Sequence, residues 1–267
     1  MTAADTVASG NDGWARNRRR AWHIIQRWYS IPLLLTVWQL AVSAGILQSR
    51  LLPSPLAIGA VFLAQLSAGV LTYHAGVTFS RALAGFTLAM VSGLPFALAM
   101  ARSAVWRNLF EPVFFVGYPV PKIALFPIFT YVFGFGSPSM VAFTALECLY
   151  PIVVTAYFAF GGVRSQLIWT AQNFGAGRAT VLRRVVLPAA LPGIFTGLRV
   201  ALPLSIIIVV LIEMLGGSSG LGYYINIWST RFAFANVYAG ILMVGICGFV
   251  LDQILLLVRR LVVYWQV

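Results

Sequence analysis

Charge is scarce in this sequence, and acid is scarcer still. Of 267 residues, 18 are Lys or Arg and 6 are Asp or Glu, so charged residues make up 9% of the chain. Soluble domains carry roughly 25%, and a surface solvated on every side is therefore excluded. Lysine occurs once, as Lys122 between Pro121 and Ile123. A Walker A loop needs a lysine after glycine to reach the phosphates, then Ser or Thr. This chain cannot supply that nucleotide site, and if ATP drives it, the ATPase is another chain. Cys148 and Cys247 lie in apolar segments; two such cysteines support neither a disulfide framework nor a metal site and read as packing residues. His23 and His74 have no His, Cys or Asp partner at metal-ligand spacing. With no Gly-x-Ser-x-Gly elbow and no paired acids in a soluble segment, no catalytic residue, bound metal or bound cofactor is assigned.

What the chain has is apolar residue, 60% of it. The runs are rich in Leu, Val, Ala and Phe and lack the period-two alternation of an outer-membrane barrel. Helices satisfy every backbone group in lipid, so the fold class is an all-α integral membrane protein. At about 20 residues per about 30 Å of hydrocarbon, six spans are predicted near residues 30–47, 75–101, 112–133, 139–160, 189–215 and 236–258. Arg16, Arg18, Arg19, Arg20, Arg27, Arg102, Arg107, Arg164, Arg178, Arg183, Arg184, Arg259 and Arg260 then fall on one side, with Arg50 and Arg231 opposite. Positive-inside bias makes both termini cytoplasmic and accounts for the +12 net charge without nucleic acid. The first apolar run exceeds the about 7–15 residues of a signal-peptide core, so a retained helix is expected.

Residues 1–28 form a cytoplasmic basic N-terminal arm, and 29–267 the transmembrane domain. Within the arm, residues 1–13 are small and polar and expected to be disordered. Trp14, Trp22, Trp28 and Tyr29, interleaved with arginine, suit the headgroup level. Leu52-Pro53-Ser54-Pro55 is a turn able to start a short helix through Leu71. Pro119, Pro121 and Pro127 interrupt the third span, and Gly134-Phe135-Gly136 ends it. Proline removes a donor and crowds the preceding turn, so this span is kinked or broken: a pathway wall, or a kink packed against neighbours. Gly193 and Gly197 allow close approach of another helix. Gly216 to Gly222 reads as a tight turn on the outer side.

Glu147, Glu213 and Asp252 fall within or at the edge of spans. Ionisable groups there mark a pathway, a proton relay or an ion pair. Arg81, Arg199 and Lys122 are available as partners. A proton relay through the three acids would make the protein a proton-coupled secondary transporter.

A hydrophilic island, Gly161 to Pro188, carries four arginines between two apolar spans. Leu167, Ile168, Ala171 and Phe174 recur at one-face helical spacing, with Gln166, Thr170, Gln172 and Asn173 opposite. Gly175 and Gly177 turn the chain. Val181, Leu182, Val185 and Val186 rebuild an amphipathic stretch that Leu187-Pro188 is expected to end at the bilayer surface.

The island resembles the EAA motif of ATP-binding cassette (ABC) importer permeases: Glu-Ala-Ala, three residues, Gly, nine residues, Ile-x-Leu-Pro. Ala171, Gly175, Leu187 and Pro188 match, Val185 stands for Ile, and Trp169 and Thr170 replace the first Glu and Ala. Leu52-Pro53-Ser54-Pro55, His74 with Arg81 and Gly85, Glu111-Pro112, Pro121 to Pro127, Phe133 to Gly136, Glu213-Met214 and Gly220-Leu221-Gly222 look like landmarks of the subfamily handling nitrate, sulfonate, taurine, bicarbonate and vitamin-precursor substrates. The resemblance runs from about residue 52 to the C-terminus. It implies a type I importer fold in the bacterial inner membrane, a homodimer of this chain, two copies of an ABC ATPase subunit carrying ATP and Mg, and an extracytoplasmic substrate-binding protein. The ATPase-coupling residues it implies are Trp169, Thr170, Ala171, Gln172, Asn173, Phe174, Gly175, Ala176, Gly177, Arg178, Leu187 and Pro188. The pathway it implies runs past Pro121, Phe126, Pro127, Glu147 and Glu213.

Overall fold

The computed structural model describes residues 29–48, 50–117 and 120–266. The basic arm 1–28 and Pro119 lie outside them. Among the described residues all regular structure is helical. Backbone packing divides the chain into two units, 1–61 and 62–267.

In the first unit, α1 (Ser30–Ser43) has 14 residues, or about 21 Å at 1.5 Å per residue. The span expected over 30–47 is thus a shorter apolar helix. Gly45 explains the stop: at φ 73° it adopts the left-handed conformation, and Ile46 N–H donates back to Ala41 O at 3.0 Å, a Schellman closure that satisfies a terminal carbonyl. The next helix, α2 (Pro55–Ser67), begins at the predicted Pro-Ser-Pro turn. Its free first-turn donors are filled by side chains: Leu56 N–H donates to Gln39 Oε1 and Ala57 N–H to Ser54 Oγ, both at 3.3 Å.

The second unit is built on three long helices, α3 (Val70–Arg102), α6 (Ser137–Gly161) and α9 (Leu187–Gly216). Between them in sequence lie α4 (Ala104–Gly117), a 3-10 turn (Lys122–Leu125), α5 (Phe126–Phe133), α7 (Ser165–Asn173), α8 (Arg178–Val181) and a π turn (Leu182–Val186); α10 (Leu221–Thr230) and α11 (Phe234–Val262) follow. Among the described residues, four continuous helical stretches are long and apolar enough to cross a bilayer: Val70–Arg102, Ser137–Gly161, Arg178–Gly216 and Phe234–Val262. They contain the spans expected at 75–101, 139–160, 189–215 and 236–258. The span expected at 112–133 is broken, as its prolines require. Pro127 falls in the first turn of α5, where a missing N–H costs nothing.

Helix α6 packs along both α3 and α9, and Phe86, Ala89, Cys148, Ile152, Ala156, Ile194, Leu198 and Ala201 share one buried cluster. Small residues set the spacing. A Cβ on Gly193 would stand 2.7 Å from that of Ala159, and one on Gly197 would overlap the Thr155 side chain. The Gly-x-x-x-Gly pair therefore seats α9 on α6 of the same chain.

Two expectations change. Leu187-Pro188 does not end a helix: α8, the π turn and α9 run on continuously from Arg178 to Gly216. Proline cannot donate to the carbonyl four residues back and its ring crowds it; the widened turn at Leu182–Val186 relieves that conflict and lets the helix pass through. The turn expected over 216–222 is confined to 217–220, and Leu221 and Gly222 already belong to α10. Leu221, Tyr224 and Ile225 form its buried face, with Tyr224 and Leu221 packed on Leu71 and Ala75.

Candidate functional site

The island folds as a helix, a turn and the start of a span. Helix α7 contains no charged residue. Phe174 N–H donates to Thr170 O at 3.2 Å, Gly175 N–H to Gln172 O at 2.8 Å and Ala176 N–H to Ala171 O at 3.0 Å. Gly175 stands at φ 82° with nothing within 4 Å of the Cβ position, so the backbone conformation, not crowding, selects glycine there. Gly177 then enters α8 in extended conformation.

Which side of α7 faces inward differs from the predicted stripe. Ile168 and Ala171 are half-buried, whereas Leu167 is exposed and Phe174 is 88% exposed. Trp169, on another side of the helix, is 61% exposed. The inner edge of α7 overlies a cavity of about 210 Å³ lined by Ile168, Gln172, Phe160, Leu98, Arg102 and Arg178, among others. The apolar arc is therefore split: Ile168 and Ala171 rest on the chain's own domain, and Leu167, Trp169 and Phe174 present bare apolar surface. Leu187 and Pro188 are half-buried where the helix passes into α9.

The broken third span frames a second feature. A cavity of about 510 Å³ is lined by Ile123, Ala124, Phe126, Pro127, Thr130 and Tyr131 on one side, Phe135, Gly136, Ser139 and Met140 where α6 begins, and Leu215 and Gly216 at the end of α9. Phe126 and Pro127 thus come together on its wall. Pro121, Glu147 and Glu213 are not among its lining residues.

The three acids each meet a cation. Lys122 Nζ lies 3.9 Å from Glu147 Oε2 and 5.1 Å from the Tyr150 ring centroid. Arg199 Nε donates to Asp252 Oδ1 at 3.0 Å, joining α9 to α11. Glu213 is the most enclosed, at 1% exposure against 6% for Arg81. Its Oε1 accepts from Arg81 Nη1 at 2.8 Å; its Oε2 accepts from Thr78 Oγ1 at 2.8 Å and from Gly222 N–H at 3.0 Å. Arg81 also donates to Ser219 O at 2.8 Å, to Ser219 Oγ at 3.1 Å and, through Nε, to Ser137 Oγ at 3.0 Å. Gly220 N–H donates to His74 Nδ1 at 3.1 Å, and Leu221 N–H to Thr78 Oγ1 at 2.7 Å. The network ties α3, the start of α6, the end of α9, the 217–220 turn and the N-terminus of α10 together. A side chain on Gly220 would overlap the Glu213 carboxylate. The sequence marked Glu213, Arg81, His74 and Gly220 separately; Thr78, Ser137 and Ser219 carry no signal that spacing could have found.

A multi-pass helical bundle with a proline-broken span and an exposed apolar segment at the foot of another has the form of a membrane transport subunit. The family model "Binding-protein-dependent transport system inner membrane component" matches residues 85–264, and the chain belongs to that family, the ABC importer permeases, in its nitrate, sulfonate and taurine subfamily. It is similar to the Putative aliphatic sulfonates transport permease protein SsuC of Bacillus subtilis, 28% identical over 88% of this chain and 85% of the relative. It is likewise similar to the Formylaminopyrimidine transport permease protein ThiX of Halalkalibacterium halodurans, 31% identical over 91% of this chain and 99% of the relative. Among solved structures, the MetNI methionine ABC transporter in an inward-facing conformation superposes with a TM-score of 0.59 at 18% identity, over 69% of this chain and 92% of that chain. That likeness establishes the type I importer fold.

Proposed function

We propose that this permease forms the solute pathway of an importer powered by a separate ABC ATPase, and that 161–188 is the segment through which the ATPase acts. The complex holds two copies of this chain, two ATPase subunits with their ATP and Mg, and an extracytoplasmic binding protein, all at the bacterial inner membrane with both termini cytoplasmic. The cargo is a small solute such as a sulfonate, taurine, nitrate, bicarbonate or a vitamin precursor. One observation carries the coupling role: Trp169 on a short helix rich in polar residues, and Phe174 just after it, are left exposed. Large aromatic side chains left bare in this way anchor interfaces.

The mechanism follows from continuity. From Arg178 the helix runs unbroken through α8 and the π turn into α9, so a push that α7 passes across the 174–177 turn reaches α9, which packs on α6 along its glycine seam. ATPase closure that draws two such segments together therefore moves the long helices as rigid bodies, and the broken span with its cavity opens to alternate sides. Phe174→Asp tests this in the purified complex in nanodiscs. The fold should persist, since Phe174 touches little of its own chain, while ATPase affinity falls by about tenfold or more and uptake stops. Unchanged affinity and uptake would refute the coupling role. Uptake that resists ATP depletion yet collapses with an uncoupler would refute the ATP-driven reading altogether.

A further inference from the structure

The docking segment has an unusual charge distribution. From Gly161 to Pro188 there is no Asp or Glu. Helix α7 itself, Ser165–Asn173, is uncharged, and it is bracketed by Arg164 immediately before its first residue and Arg178 at the first residue of α8. Both arginines are exposed, and among the described residues neither has an ion-pair partner. The same bracket carries two helix starts, whose unpaired N–H groups add partial positive charge. Arg183 and Arg184 differ in setting: they sit on the π turn that leads into α9.

We propose that Arg164 and Arg178 dock against acidic rims of the groove on the ATPase subunit, whose floor between those rims is apolar and receives Trp169 and Phe174. This rests on the coupling reading above. The physical reasoning is complementarity. A neutral, aromatic helix offers no charge to a polar groove floor, so its burial is driven by apolar contact. Two unpaired guanidinium groups at its ends would be held against any basic groove at a repulsive cost, and among the side chains of a protein partner carboxylates are the ones that take their paired donors. The contact therefore combines a salt-insensitive centre with a salt-sensitive rim.

The test uses full-length permease in nanodiscs of neutral phosphatidylcholine and its purified ATPase subunit, with the dissociation constant measured from about 50 to about 500 mM KCl, a range over which exposed charges become screened. The wild-type constant should rise several-fold across the series. Arg164→Gln/Arg178→Gln should bind about threefold to thirtyfold more weakly at low salt, with the salt dependence flattened, and Arg183→Gln/Arg184→Gln should track the wild type. Phe174→Ala should weaken binding while keeping the salt slope, which separates rim from floor. Three results overturn the proposal: a salt-independent wild-type constant; an unchanged Arg164→Gln/Arg178→Gln variant, including one altered only in nanodiscs of anionic lipid, which would assign these arginines to the bilayer; or tighter binding by Arg164→Glu/Arg178→Glu, which would show a basic groove. Failure of the wild type to bind the ATPase at any salt concentration would overturn the coupling reading and this proposal with it, whereas binding with the wrong salt response overturns this proposal alone.

Discussion

Truncating Glu213 is the sharpest probe of how the long helices are held. Its carboxylate receives three hydrogen bonds, one on Oε1 from Arg81 and two on Oε2 from Thr78 and Gly222. Glu213→Ala removes the anion and leaves the Arg81 guanidinium enclosed, with only neutral Ser219 and Ser137 oxygens for partners. Breaking one side of a buried pair costs about 3–5 kcal/mol, mostly through the charge left behind. Glu213→Gln keeps the volume but offers one acceptor oxygen, so its amide N–H must face either Arg81 or the Thr78 and Gly222 donors; a loss of about 2 kcal/mol is expected. Arg81→Met combined with Glu213→Leu removes both charges and should recover most of the Ala loss. Denaturant titration in micelles, followed by tryptophan fluorescence, reads these values directly. The account fails if Glu213→Ala costs under about 1 kcal/mol, which is the ordinary scale for an uninvolved site, or if the double variant is simply additive. Proteolysis gives an independent readout: loss of Glu213 should release the 217–220 turn, which the same network holds through Ser219 and Gly222.

Gly197→Leu forces side-chain atoms into the space occupied by Thr155 and should separate α9 from α6, costing about 1–3 kcal/mol or more; wild-type stability in the same titration would show that the seam is loose. Asp252→Asn leaves the Arg199 charge without its counter-charge on a spanning helix, where an uncompensated cation is disfavoured. Reduced membrane yield, restored by the companion Arg199→Leu change, is expected, and no rescue would indicate that the two residues act separately.

The amount of this molecule legible in its sequence depends on the range of the interaction involved. Composition and proline placement act locally, and they foretold the helical class, four long spans and the break ahead of α5. Gly45 ended α1 early because one left-handed residue outweighs several apolar neighbours that continue the hydropathy pattern. Leu187-Pro188 failed as a stop signal for the opposite reason: a π turn absorbs the proline conflict, and that adjustment leaves no mark beyond ordinary apolar residues. The pairing of Arg81 with Glu213 spans 132 positions, so sequence could name both charges and an ion pair as one option but could not choose among three cations.

Helix α7 shows a subtler limit. Leu167 and Phe174, seven residues apart, lie within about 20° on a helical wheel, and Ala171 and Ile168 continue the same arc. Periodicity therefore finds the arc but treats its two edges alike. Packing distinguishes them: the edge carrying Ile168 covers the chain's own cavity, while the edge carrying Phe174, together with Trp169, remains bare. A stripe of apolar residues establishes that a helix will be covered, and only the fold reveals how much of that cover must come from another molecule. Here the uncovered part is aromatic and its flanks are cationic, so the proposed groove of the partner is described by its chemistry from this chain alone.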